Sequence, residues 1–190
     1  MKEQLTVGSM FAGIGGICLA FRQNGCKIVW ANEIDKYACK TYRLNFGDEY
    51  LIEGDIQKLD TKDIPKFDIL TAGFPCQSFS SVGLLEGFSD PRGNLFFETV
   101  RVINKIKPRV VFLENVANLV KHDEGRTFDV ILKTLGDLGY YTVYKVMNAK
   151  EYGNIPQQRN RIYIVAFKYK KNVEKFKFPD MLPLTQTAFV

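Results

Sequence analysis

Seven apolar runs separated by amphipathic stretches set the first limit on how this chain of 190 residues can fold. LTVGSMF, KIVWA, YLI, FDILTA, RVVFLE, YTVYKV and RIYIVAF are rich in Val, Ile, Phe and Tyr and are bounded by Gly, Asp or Pro, as strands are. Between them lie segments of helical period: Ile17, Ala20 and Phe21; Tyr37, Thr41 and Leu44; Phe96, Val100, Ile103 and Ile106; Phe128, Ile131, Leu132, Leu135 and Leu138. Steps of three and four residues put these side chains on one face of each helix, ready to lie on a sheet. Alternation of the two kinds predicts an α/β fold with a mostly parallel sheet and helices on both faces. No helical stretch separates YTVYKV from RIYIVAF, which predicts an antiparallel pair at the sheet edge. The lysine-rich KYKKNVEKFKF beyond them reads as a solvated strand end.

A hydrophobic content of 46% is enough for one continuous core at this length. There is no apolar signal segment and no apolar run of membrane-spanning length, so a cytoplasmic protein without a membrane partner is expected. Cys18, Cys26, Cys39 and Cys76 lack CxxC spacing, and the only histidine, His122, sits among charged residues as a solvated polar group. That supply of ligands argues against a metal site. A net charge of +5 suits a polyanionic partner without requiring one.

The first strand runs into Ala12-Gly13-Ile14-Gly15-Gly16 and then into a helix. Glycines at such a turn let the backbone approach a ligand and aim the helix N-terminus at it, although the spacing is not that of the dinucleotide fingerprint. Glu33 stands just past the second strand, where an acidic side chain can accept from both hydroxyls of a ribose. Asp55, after the third strand, can accept from an adenine amino group. Both carboxylates have simpler readings, as exposed charges or helix caps. Together with the glycine turn they favour a nucleoside-containing cofactor. Cys76 follows the fourth strand and Glu114 ends the fifth. A free cysteine is most often a small buried hydrophobe, but a carboxylate at the end of Val-Val-Phe-Leu needs a partner or a purpose.

In this order, FAGIGG, GFPCQSFS, ENV and QQRNR followed by IYIVAF resemble the motifs of the DNA (cytosine carbon-5) methyltransferases of bacterial restriction-modification systems, from about Val7 to Phe178. The resemblance implies a Rossmann-like fold that uses S-adenosylmethionine, bacterial cytoplasmic location, and double-stranded DNA as substrate, with the target cytosine flipped out of the stack. It assigns Phe11, Gly13, Ile14, Gly16, Glu33, Ile34, Asp55, Ile56, Pro75 and Leu95 to the cofactor pocket. Cys76 is the implied nucleophile at carbon 6, Glu114 the holder of ring nitrogen 3, and Arg161 the donor to the oxygen on carbon 2, with Arg159 close by. Addition of a thiolate turns carbon 5 into an enamine carbon able to take a methyl group. A carboxyl group that carries a proton, favoured by an apolar setting, would drain the charge from nitrogen 3.

The segment QSFSSVGLLEGFSDPRGN has no helical or strand period, and by resemblance closes over DNA with Gln77, Ser80 and Arg92 as contacts. The family pattern continues with a target-recognition region and two further motifs, the last a helix beside the glycine loop. These are expected on a second chain, or lost through truncation or trimming. Residues 1–178 are then the catalytic domain and 179–190 the start of a connection to that region. Apolar surface near the first strand and first helix should stand exposed. The competing expectations are a catalytically silent DNA-binding or scaffold subunit and a relative that methylates transfer RNA. A nicotinamide-dependent oxidoreductase would leave Cys76, Glu114 and Arg161 unexplained, and a Cys/His hydrolase would have to recruit His122.

Overall fold

The computed structural model describes residues 4–75 and 95–182. Among these residues the strands form a mostly parallel, seven-stranded sheet in the order Leu51–Glu53, Lys27–Glu33, Thr6–Met10, Ile69–Ala72, Val110–Val116, Asn160–Phe167, Tyr141–Asn148. The chain divides into two compact units between Leu113 and Glu114, each taken by itself below.

The first unit holds β1 (Thr6–Met10), α1 (Gly16–Gln23), β2 (Lys27–Glu33), α2 (Lys36–Phe46), β3 (Leu51–Glu53), β4 (Ile69–Ala72) and α3 (Leu95–Ile106), and ends in the first residues of β5 (Val110–Val116). β1 pairs in parallel with both β2 and β4, and β4 with β5. All four residues of β4 are buried, as in a parallel strand covered on both faces. Ser9 and Thr71 face each other across β1 and β4, and the Thr71 hydroxyl donates to the Ser9 hydroxyl at 3.0 Å, so neither buried polar group is left unpaired.

Val7, Ile28, Ala31, Leu51 and Ile69 from the strands pack with Cys18 of α1 and with Cys39 and Tyr42 of α2. The periodicity of α2 is as the sequence pattern predicts, but its buried face is not. Tyr37 is 70% exposed and Leu44 82%, while Cys39 and Tyr42 are buried. A free thiol and a phenol proved to be the packing side, with the Tyr42 hydroxyl donating to Cys18 Sγ at 3.7 Å. In α1, likewise, Cys18 is buried and Ala20 exposed. Ile14 and Leu19 stand exposed beside the first strand and helix, as expected there.

The second unit holds the end of β5, α4 (Arg126–Asp137), β6 (Tyr141–Asn148), α5 (Ala149–Gly153), β7 (Asn160–Phe167) and α6 (Lys170–Lys175). β6 and β7 form the expected antiparallel pair, in register from Tyr141 opposite Phe167 to Asn148 opposite Asn160. Phe128, Ile131 and Leu135 are the buried face of α4. Two expectations needed correction. A short helix, α5, lies between β6 and β7, started by the Asn148 side chain, which accepts from Lys150 N–H. The lysine-rich stretch after β7 begins with another short helix, α6, in place of a strand end. Among the described residues no helix is long and apolar enough to cross a membrane.

Candidate functional site

In the first unit, the carboxyl ends of β1, β2 and β3 bring the glycine turn, Glu33 and Asp55 together. The turn is tightly wound, with Phe11 at φ 52°, Gly13 at 56° and Gly15 at 92°, all in the left-handed region. A non-glycine residue held there costs about 1 kcal/mol or more, so the surrounding contacts must enforce it at Phe11. Gly15 starts α1, and a methyl group on it would lie 2.3 Å from the Phe46 ring. Only glycine meets both demands.

The contacts that hold the turn come from the end of β2. Ala12 N–H donates to Asn32 C=O at 3.0 Å, and Gly13 N–H donates to Glu33 Oε2 at 2.8 Å. Glu33 Oε1 accepts from the N–H groups of Ile34 and Asp35 at 2.8 and 2.9 Å. A carboxylate offers about four acceptor positions, so three backbone donors leave room for further acceptance on Oε2. Asp55 starts a short turn by accepting from Gln57 N–H through Oδ1 at 3.0 Å. Its role as a cap and its role toward a ligand are compatible, since one bond leaves acceptor capacity.

Three observations test whether these residues fit a nucleoside cofactor. Methyl groups added at Gly13 and Gly16 would meet nothing within 4 Å, so the backbone there borders open space. Ile14, within the glycine turn, and Ile34, next to Glu33, have exposed apolar side chains, at 59% and 64%. Glu33 and Asp55 supply acceptors of the kind that ribose hydroxyls and an amino group need. The donor set fits. Ile56, expected in the same pocket, has its side chain in the core at 3% exposure. Pro75 is exposed and follows Phe74, which is buried against the Phe96 ring of α3 at 5.5 Å. Leu95 opens α3 and is half-buried.

In the second unit, Arg161 Nε meets Glu114 Oε1 at 2.8 Å, with both side chains about four-fifths buried at 19% and 21% exposure. β5 runs on past Glu114 to Val116, and the Glu114 carboxylate has a guanidinium partner in place of a wholly apolar setting. Arg161 also donates from Nη1 to Asn160 C=O at 2.8 Å, which fixes the plane of the guanidinium. Tyr163 stands two residues further along β7, on the same face as Arg161. Its phenol pKa is pushed up first by burial and then by the charge of Glu114, against the opposing charges of Arg159 and Arg161. Arg159 is exposed at the entrance to β7, and its carbonyl accepts from Ala149 N–H.

Two asparagines that the motifs did not single out close this end of the β6–β7 pair. Asn148, 6% exposed, donates from Nδ2 to Asn160 Oδ1 at 2.8 Å, next to Arg161. Their signal in the sequence was weak, an asparagine at each end of an irregular segment. His122 proved half-buried, with Nδ1 hydrogen-bonded to Thr127 Oγ1 at 2.8 Å at the start of α4. It belongs to that helix start and is not a solvated group. Cys76, Gln77, Ser80 and Arg92 lie outside the described residues. The other three cysteines have thiol pKa values pushed up, in each case first by burial, the opposite of what activates a nucleophile.

The sequence model of the C-5 cytosine-specific DNA methylases matches residues 5–189. The chain is 52% identical over 185 residues to the type II methyltransferase M.Bsp6I of Bacillus sp. (strain RFL6), covering 96% of this chain and 58% of that protein. It is 48% identical over 181 residues to the type II methyltransferase M.HhaI of Haemophilus parahaemolyticus, covering 95% and 54%. Among solved structures, S. pombe Dnmt2 methyltransferase superposes with a TM-score of 0.71 at 26% identity, over 88% of this chain and 51% of that one. The chain thus spans a little over half the length of these curated relatives.

Proposed function

The chain belongs to the C-5 cytosine-specific DNA methylase family, and we propose that it carries the catalytic half of a reaction that moves a methyl group from S-adenosylmethionine to carbon 5 of a flipped-out cytosine in double-stranded DNA. The observation that carries this reading is the Arg161–Glu114 pair, which sets a fixed guanidinium beside a carboxyl group near the end of β5. A pyrimidine ring offers matching groups side by side, a carbonyl oxygen on carbon 2 and nitrogen 3. Because Arg161 engages Oε1 of Glu114, the other oxygen is the one assigned to ring nitrogen 3.

The cofactor would be held by the glycine turn, Glu33 and Asp55, with Ile14 and Ile34 against its apolar parts. When bound it supplies an electrophilic methyl group on a sulfonium. The chain's own groups do the rest. The Cys76 thiolate forms a bond from Sγ to carbon 6, and the electron pair displaced from the ring moves toward nitrogen 3, the atom assigned to Glu114, and toward the carbonyl oxygen, to which Arg161 donates. Carbon 5 then takes the methyl group, with S-adenosylhomocysteine as the leaving group; a base removes the proton from carbon 5, and the returning electron pair expels Sγ, restoring the thiolate and leaving 5-methylcytosine. Each of these groups acts where charge develops, so each lowers the barrier more than it strengthens binding.

Duplex DNA containing 5-fluorocytosine in place of cytosine tests the reading, because fluorine cannot leave as a proton does. A covalent adduct that forms with S-adenosylmethionine and disappears in Cys76→Ser supports it. Intact DNA binding without adduct, even when a chain corresponding to the unmatched part of the relatives is added, would favour a catalytically silent DNA-binding subunit.

A further inference from the structure

We propose that Asn32 is a positioning residue of the cofactor pocket, holding the turn that carries Asp55 in register with the glycine turn and Glu33; the assignment rests on reading that pocket as the S-adenosylmethionine site. Asn32 sits one residue before Glu33 in β2 and is 2% exposed. Its side-chain amide uses both hydrogens, donating from Nδ2 to Ile52 C=O and to Gly54 C=O, each at 3.0 Å. Those carbonyls flank the exit from β3, directly ahead of Asp55. On its other side the Asn32 carbonyl accepts from Ala12 N–H in the glycine turn at 3.0 Å. The next residue repeats the pattern, with Glu33 C=O accepting from Gly54 N–H at 2.8 Å and Glu33 Oε2 accepting from Gly13 N–H at 2.8 Å. Two adjacent residues of β2 therefore connect all three parts of the pocket.

The chemistry of the link restricts what can stand at this position. Two carbonyl oxygens need two donors at the reach of a short side chain, and an amide nitrogen supplies both. Leucine has the shape without the donors and leaves two carbonyls unpaired, while aspartate turns an acceptor toward acceptors. A buried asparagine serving only the sheet would hold β2 to β3 through ladder bonds, yet Gly54 lies past the end of β3. The second bond acts on the ligand-facing turn.

The test compares binding of two ligands to the 190-residue chain: S-adenosylhomocysteine, and its inosine counterpart, whose base carries a carbonyl where adenine has the amino group assigned to Asp55. Asn32→Ala is expected to weaken S-adenosylhomocysteine about 10-fold and the inosine counterpart less than about 3-fold, since the latter has already lost the contact that Asn32 positions. Asn32→Thr, with one donor, should recover part of the loss, and carries the comparison if Asn32→Ala does not fold. The amide resonances of Gly54 and Asp55 should move in the ligand-free variants. Equal weakening of both ligands, unchanged binding, or unmoved resonances would overturn the assignment. Failure of the unaltered chain to bind S-adenosylhomocysteine would instead overturn the cofactor reading itself, and with it the role given to Asn32.

Discussion

Arg161 and Glu114 are 47 positions apart in the sequence numbering and meet at 2.8 Å, the one on β7 and the other near the end of β5. The pair answers a need visible in the primary structure, where a carboxylate closes an apolar strand. Its partial burial makes it costly to break from one side, because the remaining charge keeps its position and loses its counter-charge. Replacing Arg161 with alanine should destabilise the chain by about 1–2 kcal/mol, less than for a fully buried pair because both groups keep some exposure. Urea denaturation of Arg161→Ala, Glu114→Gln and the double variant would measure it, and the single losses should not add.

Arg161→Lys separates charge from geometry. Lysine keeps the positive charge but lacks the planar fork that serves Glu114 and Asn160 C=O together. Adduct formation with 5-fluorocytosine DNA should fall by about 100-fold or more, while the thermal midpoint moves only slightly. Equal rates would show that charge alone suffices.

Glu33 holds three backbone N–H groups, and two of its substitutions should grade the effect. Glu33→Ala removes every acceptor, with an expected loss of about 1–3 kcal/mol in stability. Glu33→Gln keeps one oxygen and turns an amino group toward the remaining donors. It should lose less stability, yet bind S-adenosylhomocysteine more weakly by about 10-fold or more in calorimetry.

Gly13 and Gly15 should respond in opposite ways to a methyl group. Gly15→Ala strains a φ of 92° and drives Cβ to 2.3 Å from the Phe46 ring, so the main loss is stability, about 2–3 kcal/mol. Gly13→Ala meets open space at a φ of 56°, so the chain stays folded at a cost of about 1 kcal/mol, but the methyl group enters the space assigned to the cofactor. Thermal melts and ligand titrations on both variants would show the exchange.

Acid stability should depend on Asp68. Burial alone would push its carboxyl pKa up, but Thr6 N–H and hydroxyl, each at 2.9 Å, and the Arg109 guanidinium outweigh it and hold the pKa below the usual range. A depressed folded pKa contributes stability that is present above the unfolded carboxylate range and is lost as pH falls through the folded value. Asp68→Asn should therefore be less stable than the parent chain at pH 7, and the gap should close as urea titrations descend below about pH 4. A gap that stays constant with pH would refute the assignment.

Element type was legible in the primary structure because it follows from local pattern. All seven runs are strands, and α1, α2, α3 and α4 fall where the apolar spacing repeats in threes and fours. The choice of face on α2 was not legible. Tyr37, Thr41 and Leu44 have the more apolar spacing, but Cys39 and Tyr42 are the residues whose size fits against Cys18 and β2. Short helices such as α5 escaped because their start signal is a single asparagine side chain, too brief to register as a period.

The residue types that carry the chemistry were determined by the sequence alone: a glycine turn after the first strand, acidic residues at or after the ends of the second and third, a carboxylate near the end of the fifth and arginines entering the last. What only the tertiary structure decided is which groups hold which. That the Glu33 carboxylate clamps Gly13, that Asn32 ties the glycine turn to the turn before Asp55, and that Arg161 rather than Arg159 meets Glu114 all depend on strand register. Register is set by the summed packing of whole strands, and a shift of one residue would turn each of these side chains to the opposite face of the sheet.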